Sequence, residues 1–245
     1  MKPDPVDIAF LYESFCEFTR NLQETWENSP ELAADGEHPQ QLVDAMSQLS
    51  GILRKIEEAD APLEGAPRDI PTLGEFGIQL LSELSEIAAG LDLDESARGL
   101  ENLCLPMAVW TARQGGEIRH LAPVVNALAY FAEHDGDPEF MAELLYLSNE
   151  IYEAVSPRVS EDPDRSDPLR PWRLLILNRA TIATRTLQPA LMQPVFDNLV
   201  EHLPEDAGRF FEDAMERLHS SDFPAPVRDL MTRYYQAFGS RRVLH

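Results

Sequence analysis

The chain has 245 residues, of which 44% are hydrophobic, and this is enough to bury a sizeable core without a disulfide or a bound metal. Its 43 acidic and 20 basic residues give a formal net charge of -23, which would repel the phosphates of nucleic acids and anionic membranes. No apolar stretch approaches the roughly 20 residues that a membrane-spanning helix requires. We therefore expect neither nucleic acid nor membrane as a partner.

The first residues, with Asp4, Asp7 and Glu13, lack the continuous apolar segment of a secretory signal, so a cytoplasmic location is expected. Cys16 and Cys104 are the two cysteines, and each has apolar neighbours in a helical pattern, which predicts buried free thiols. The sequence contains no CxxC, no HExxH and no paired histidine spacing. We therefore predict no metal site and no cofactor.

The N-terminal part of the chain has the pattern of a helical hairpin. Asp4 can cap a first helix with Pro5 at its first position, and apolar residues then recur at three-four spacing as far as Trp26. A second amphipathic helix is predicted over residues 39–59. Residues 60–71 combine prolines, a glycine and charges, as a linker does. These features divide the chain into a hairpin, residues 1–60, and a larger helical domain, residues 72–245.

Two further helices are predicted after the linker. Thr72 and Glu75 have the spacing of a capping box at the start of the third helix. A fourth helix is predicted over residues 94–113, with a kink or restart at Pro106. The buried stripe predicted for the third helix is Leu73, Phe76, Leu80, Leu84 and Ile87.

The next helical hairpin has the clearest pattern in the chain. A turn at residues 135–138 separates its two apolar stripes, which are Leu121, Val124, Leu128, Phe131 and Ala132, and then Phe140, Leu144, Leu147 and Ile151. An acidic loop, residues 157–168, is expected to be solvated. Further helices are predicted from about Pro171, and over residues 193–203, 205–219 and 226–238.

A possible internal repeat begins at Pro138, Pro171 and Pro204, which are evenly spaced along the chain. The period matches the length of a helix-pair repeat unit, about 33 residues, although chance spacing among the 19 prolines is an alternative explanation. The positions that then align are Met141, Leu174 and Ala207; Leu144, Leu177 and Phe210; and Ser148, Thr181 and Ala214. The predicted fold class is all-α, with stacked antiparallel helical hairpins in an α-solenoid.

Residues 123–157 resemble one tetratricopeptide unit. The match rests on Leu128-Ala129, on Gly136-Asp137 at the turn between helices, and on Met141, Leu145 and Ser148 in the second helix. The sequence departs from that family at Ala132 and Glu153. The resemblance implies a tetratricopeptide-like superhelix that binds peptides or assembles proteins.

Carried over position by position, the resemblance places Asn126, Tyr130 and Glu133 on the groove that such proteins present to their partners. The alternative interpretation is that Tyr130 is a half-buried aromatic residue and Asn126 an ordinary polar residue on a helix surface.

No pattern of catalytic residues stands out. The sequence lacks the GxSxG nucleophile elbow and the GxGxxG and GxxxxGK[ST] phosphate loops. Acidic residues within 157–168 do not follow the order of a calcium loop. Arg170 and Arg173 flank Trp172 and could clamp an anion, although packing of the tryptophan at a helix start explains the pattern more simply.

The function predicted from these features is a non-enzymatic protein interaction module, such as an adaptor, scaffold or chaperone-like protein. The alternative is an all-α enzyme or small-molecule-binding protein whose site assembles from distant residues. The expected partner is a protein or peptide. A basic partner would explain the acidic surface, although adaptation to habitat explains it more simply. The sequence does not specify the oligomeric state.

Overall fold

A computed structural model describes residues 7–29, 38–58, 70–162, 165–220 and 223–239. Within these ranges the regular structure is helical, and extended backbone pairs at a single isolated bridge between Ile118 and Val155. The all-α prediction is confirmed. No helix of the described residues is both long enough and apolar enough to cross a bilayer.

The chain divides into two compact units, which share the long helices near its middle. The first unit comprises residues 1–131 and 150–161, and the second comprises 132–149 and 162–245. The domain boundary predicted at residues 60–72 lies mostly outside the described residues, and it stays a prediction.

The helices that begin in the first unit are α1 (Ile8–Thr19), α2 (Leu22–Glu27), α3 (Pro39–Glu57), α4 (Ile70–Gly90), α5 (Asp94–Asn102), α6 (Cys104–Arg113), α7 (Leu121–His134) and α9 (Pro157–Ser160). The unit is built around α4, on which its neighbours pack. Helix α4 contacts α3, α5 and α6, while α1 packs against α3 and α5. The buried face of α3 has three-four spacing and consists mainly of Leu42, Met46, Leu49 and Leu53.

The second unit contains α8 (Pro138–Ala154) over residues 138–149, α10 (Pro171–Arg185), α11 (Pro189–His202), α12 (Pro204–Ser220) and α13 (Ala225–Tyr234), followed by a π-helical turn (Tyr235–Gly239). Its packing runs in sequence order, because α11 contacts both α10 and α12, and α13 contacts α11 and α12. An aromatic cluster fills the space between the last helices: Phe196, Phe210, Phe211, Tyr234 and Phe238.

Proline marks helix starts throughout the chain. Pro138, Pro171 and Pro204 are the first residues of α8, α10 and α12, so the helix starts predicted at these positions are confirmed. A proline is tolerated there because the amide that it lacks would have no partner within the helix. The break expected at Pro106 is also present, since α5 ends at Asn102 and α6 begins at Cys104.

The helix start predicted at Thr72 is wrong. Helix α4 already begins at Ile70, so Thr72 lies inside it. Glu75 instead accepts hydrogen bonds from the backbone amides of Arg119, at 3.1 Å, and His120, at 2.7 Å. The carboxylate therefore serves the N-terminal end of α7, because amides at a helix start have no partner within their own helix.

Three burial predictions are corrected. Cys16 is exposed, because it lies on the outer side of α1 and the buried side is formed by Leu11 and Phe15. On α4, Phe76 is exposed and Leu73 and Ile87 are half-buried, because the buried face also runs through Ile78 and Leu81. Leu80 and Leu84 of the predicted stripe are buried. Asp162, expected in a solvated loop, is buried.

The burial of Asp162 has an electrostatic reason. Its carboxylate accepts a 2.7 Å hydrogen bond from Arg170 Nε, and both side chains are largely shielded from water. A carboxylate can remain in such a place when a guanidinium compensates its lost hydration. The cap that Asp4 and Pro5 were expected to supply lies outside the described residues, and Asp7 caps α1.

Candidate functional site

Two of the residues predicted to bind a partner lie against helix α5. Asn126 Nδ2 donates a 2.8 Å hydrogen bond to Glu101 Oε1. The guanidinium carbon of Arg98 lies 5.5 Å from the ring centroid of Tyr130, within the range of a cation–π contact. The structure thus brings Asn126 and Tyr130 together with two charged side chains of α5. Tyr130 is half-buried, and the partner-binding role of both residues stays a prediction.

Glu133, the third predicted residue, is exposed near the end of α7 and belongs to the second unit, whereas Asn126 and Tyr130 belong to the first. The predicted trio is therefore divided between the two units. The partner-binding role of Glu133 also stays a prediction.

A serine and a histidine meet in the first unit without forming a catalytic triad. Ser82 Oγ lies 3.3 Å from His120 Nε2. The nearby carboxylate of Glu75 accepts from the backbone amide of His120 and not from its imidazole ring. A triad needs the acid on the second ring nitrogen, where it orients the base. Glu75 is therefore engaged by the backbone amides that precede α7 and does not orient the His120 imidazole.

Cys104 is fully buried, as expected. Loss of hydration raises the pKa of its thiol well above the ordinary value, because a thiolate would be stranded in an apolar environment. This cysteine is therefore a poor nucleophile. Among the described residues, no three histidine, cysteine or acidic side chains form a cluster that could hold a metal ion.

The second unit contains a groove between α10 and α12 with a volume of about 490 Å³. None of the side chains that line it is fully buried, so the groove is open to solvent along its length. We call it the α10–α12 groove. It is lined by Arg173, Leu177, Thr181, Thr184 and Arg185 of α10, by Asp206, Arg209, Phe210, Asp213, Ala214 and Arg217 of α12, and by Phe223.

The two helices line this groove with positions that correspond in the repeat pattern of the sequence. Leu177 corresponds in this way to Phe210, and Thr181 to Ala214. On α8, the aligned residues Leu144 and Ser148 are fully buried, whereas on α10 and α12 they are partly exposed.

An ion pair joins the N-terminal ends of the two helices. Arg173 donates to the Asp206 carboxylate through two nitrogens, with distances of 2.8 Å and 2.5 Å. The hydrogen bonds from Arg173 are charge-assisted, and this pairing raises the pKa of the Arg173 guanidinium. Arg173 also donates to the carbonyl of Pro168 at 2.7 Å. These bonds hold the Arg173–Asp206 pair in place at one end of the groove.

Arg185 lies at the C-terminal end of α10, at the other end of the groove. Its guanidinium donates to the backbone carbonyls of Ala132 and Asp135, which lie at and just beyond the C-terminal end of α7. A cation is favourable there, because carbonyls at a helix end carry partial negative charge.

The floor of the groove is apolar and firmly supported. Phe210 makes edge-to-face contacts with Phe196 and Phe211, at centroid distances of 6.0 Å and 5.3 Å. Phe196 and Phe211 are fully buried, whereas Phe210 is partly exposed. The aromatic cluster therefore presents one ring to the groove at little conformational cost.

Sequence reasoning singled out Arg173 as a candidate anion clamp, but it missed the groove itself. The available signal was the repeat pattern, which aligned Leu177 with Phe210 and Thr181 with Ala214. That pattern does not tell whether aligned positions are buried or exposed. No family model matches this chain, and neither a curated protein nor a solved structure matches it.

Proposed function

We propose that this chain is a non-enzymatic interaction protein, an adaptor or scaffold, that holds a segment of a partner protein in the α10–α12 groove. The observation that carries the proposal is the partly exposed apolar floor, made by Leu177, Phe210 and Ala214, within an open groove. Exposed apolar surface with a charged rim is characteristic of protein interaction sites.

The helical pattern supports the same proposal. Two helices whose lining positions correspond in the repeat pattern form the walls of the groove, as would equivalent helices of two consecutive repeat units. We therefore include in the proposal a tetratricopeptide-like, solenoid arrangement of the hairpins. The proposal also includes the cytoplasmic location expected from the sequence.

A second candidate function is the binding or conversion of a small molecule. It is favoured by the volume of the groove, about 490 Å³, because ligand pockets of proteins usually measure about 300–1,000 Å³. A pocket of this kind would bury most of its ligand, whereas the lining of the α10–α12 groove is solvent-accessible throughout. This difference is why the interaction function is preferred.

Site-specific photocrosslinking tests the proposal. A photoreactive amino acid placed at Leu177 should yield discrete covalent adducts with a protein in lysate of the native host. The same amino acid at Tyr146, which is exposed on α8 outside the groove, is the matched control and should not yield these adducts. Phe210→Ala in the Leu177 crosslinking variant should reduce the adduct, because it removes the ring beside the probe.

Two outcomes would contradict the proposal. The first is equal crosslinking from the Leu177 and Tyr146 positions, which would indicate nonspecific contact. The second is the lack of any protein adduct together with a metabolite that remains bound through native purification, which would favour the small-molecule function.

A further inference from the structure

We infer that the occupant of the α10–α12 groove is a short acidic helix of a partner protein, whose apolar side chains contact Leu177 and Phe210 and whose carboxylates meet the groove arginines. The inference rests on the interaction function proposed above. It adds the chemistry of the partner, which the net charge of the chain alone does not indicate.

The charge of the groove is opposite to that of the chain. The whole sequence carries a formal net charge of -23. The groove is lined by four arginines, Arg173, Arg185, Arg209 and Arg217, and by two aspartates. A cleft with one predominant sign of charge selects a partner of the opposite sign.

Arg209 is the groove arginine best placed to meet a partner. Its guanidinium lies 4.0 Å from the Asp213 carboxylate, and the two side chains are 86% and 60% exposed. A pair this long and this exposed to water contributes little. Arg209 therefore keeps donors that can bind a second carboxylate, and a guanidinium can do so through two parallel hydrogen bonds.

Arg185 adds positive charge in a fixed position. The contacts described above join its guanidinium to two backbone carbonyls, which are neutral groups. Hydrogen bonds to carbonyls hold the side chain in place without cancelling its charge. This contrasts with Arg173, whose charge is matched by Asp206.

The dimensions of the groove fit a helix. Its lining on α10 extends from Arg173 to Arg185, a stretch that spans about 18 Å at the rise of an α-helix. The lining positions recur at intervals of three and four along each helix, at 177, 181 and 184 on α10 and at 210, 214 and 217 on α12. An amphipathic helix of about three turns can place its apolar ridge between two such rows.

Three stapled helical peptides of about 14 residues test this inference by fluorescence anisotropy. The first carries two leucines at i and i+4, flanked by glutamates. The second has lysine in place of each glutamate, and the third has alanine in place of each leucine. The acidic peptide with leucines should bind at least about tenfold more tightly than either of the others.

Charge variants locate the binding. Arg209→Glu should weaken binding of the acidic peptide at least about fivefold, whereas Asp213→Asn should tighten it about twofold. The matched control is Arg228→Glu, which makes the same charge change at an exposed position of α13 outside the groove. Thermal unfolding of each variant establishes that the fold is retained.

Each remaining outcome overturns a specific statement. Equal weakening by Arg209→Glu and Arg228→Glu, or tighter binding of the lysine peptide, would overturn the acidic helix as the occupant. If all three peptides fail while the Leu177 probe still captures a protein, the inference fails and the interaction function stands. Dodecanoate, an apolar chain that ends in a carboxylate, serves as the small-molecule probe. If it binds while no peptide binds and no protein adduct forms, both the acidic-helix inference and the interaction function are overturned.

Discussion

Gly74 and Gly51 lie inside helices α4 and α3, in very different surroundings. A Cβ atom added at Gly74 would lie 2.0 Å from Thr111 Oγ1 and 2.9 Å from Thr111 Cβ, and Thr111 is fully buried. A Cβ atom at Gly51 would have no neighbour within 4 Å. Glycine is thus required at one position for close helix packing and is dispensable at the other.

These surroundings predict opposite effects of the same substitution. Gly74→Ala should lower the free energy of unfolding by about 1–3 kcal/mol, because α4 and α6 must move apart. Gly51→Ala, the matched control, should raise the free energy of unfolding by up to about 1 kcal/mol, since alanine is the better helix former. Chemical denaturation of both variants measures the difference. Equal effects would mean that the contact between Gly74 and Thr111 is absent in solution.

Leu144 is the buried residue at the middle of α8. It is fully shielded from water, so Leu144→Ala should lower the free energy of unfolding by about 2–5 kcal/mol through lost burial and the cavity left behind. Leu169, at 70% exposure, supplies the same chemical change at the surface. Leu169→Ala should alter the free energy by less than about 0.5 kcal/mol. A loss below that value at position 144 would place Leu144 on the surface.

At the scale of elements, Glu75 connects α4 to the start of α7. Glu75→Ala removes the acceptor of two backbone amides and should lower the free energy of unfolding by about 1 kcal/mol. The control is Glu86→Ala, an exposed position on the same helix. Hydrogen exchange should show faster exchange at the N-terminal end of α7 for the first variant and not for the second. Unchanged exchange would contradict the capping role.

The pair of Arg113 and Glu150 connects α6 to α8 within the first unit. Nε and Nη2 of Arg113 donate to the two carboxylate oxygens of Glu150 at 2.7 Å and 2.8 Å. These hydrogen bonds lower the pKa of Glu150 below its ordinary value. The side chains are 46% and 35% exposed, so water screens the attraction between them.

This pair predicts a pH-dependent contribution to stability. A lowered pKa means that the contribution is present above the unfolded value of about 4.3 and is lost as the pH falls through the folded value. Glu150→Gln should therefore cost about 0.5 kcal/mol at pH 7, and the difference from the unsubstituted chain should diminish as the pH falls below about 4.3. The exposed Glu153→Gln is the control. A cost that persists in acid would identify packing and not charge as its cause.

At the scale of the whole molecule, the net charge of -23 opposes the approach of an acidic peptide, while the groove arginines attract it at short range. Salt screens the long-range repulsion over about 8 Å at physiological ionic strength. The association rate constant of the acidic peptide should therefore rise with added salt, and its dissociation rate constant should rise as the arginine contacts weaken. Stopped-flow fluorescence measures both rates.

The lysine peptide is the control for the salt experiment. Its association rate constant should fall with salt, since the chain as a whole attracts it. A fall for the acidic peptide as well would mean that the arginines of the groove, and not the net charge of the chain, govern the encounter. The basic partner expected from the sequence rests on that long-range attraction, and it stays a prediction.

Much of the secondary structure could be predicted from local rules. Periodicity at three-four spacing indicated an all-α chain, and prolines indicated the starts of α8, α10 and α12. Local rules failed at Thr72 and Glu75, where the capping-box spacing was present but Glu75 caps α7 instead. A carboxylate bonds to whichever unpaired amides the fold brings near it, and sequence spacing does not reveal this.

The sequence by itself determined the helical class, the buried stripe of α7 and the burial of Cys104, because these depend on the apolar pattern within one helix. On α8 it determined the burial of Phe140, Leu144 and Ile151, whereas Leu147 is half-buried. Tertiary structure decided which faces remain open. Leu177 and Phe210 share a pattern with Leu144, yet Leu144 is buried while Leu177 and Phe210 line a groove. Periodicity shows which residues share a face of a helix, and burial depends on whether another element covers that face.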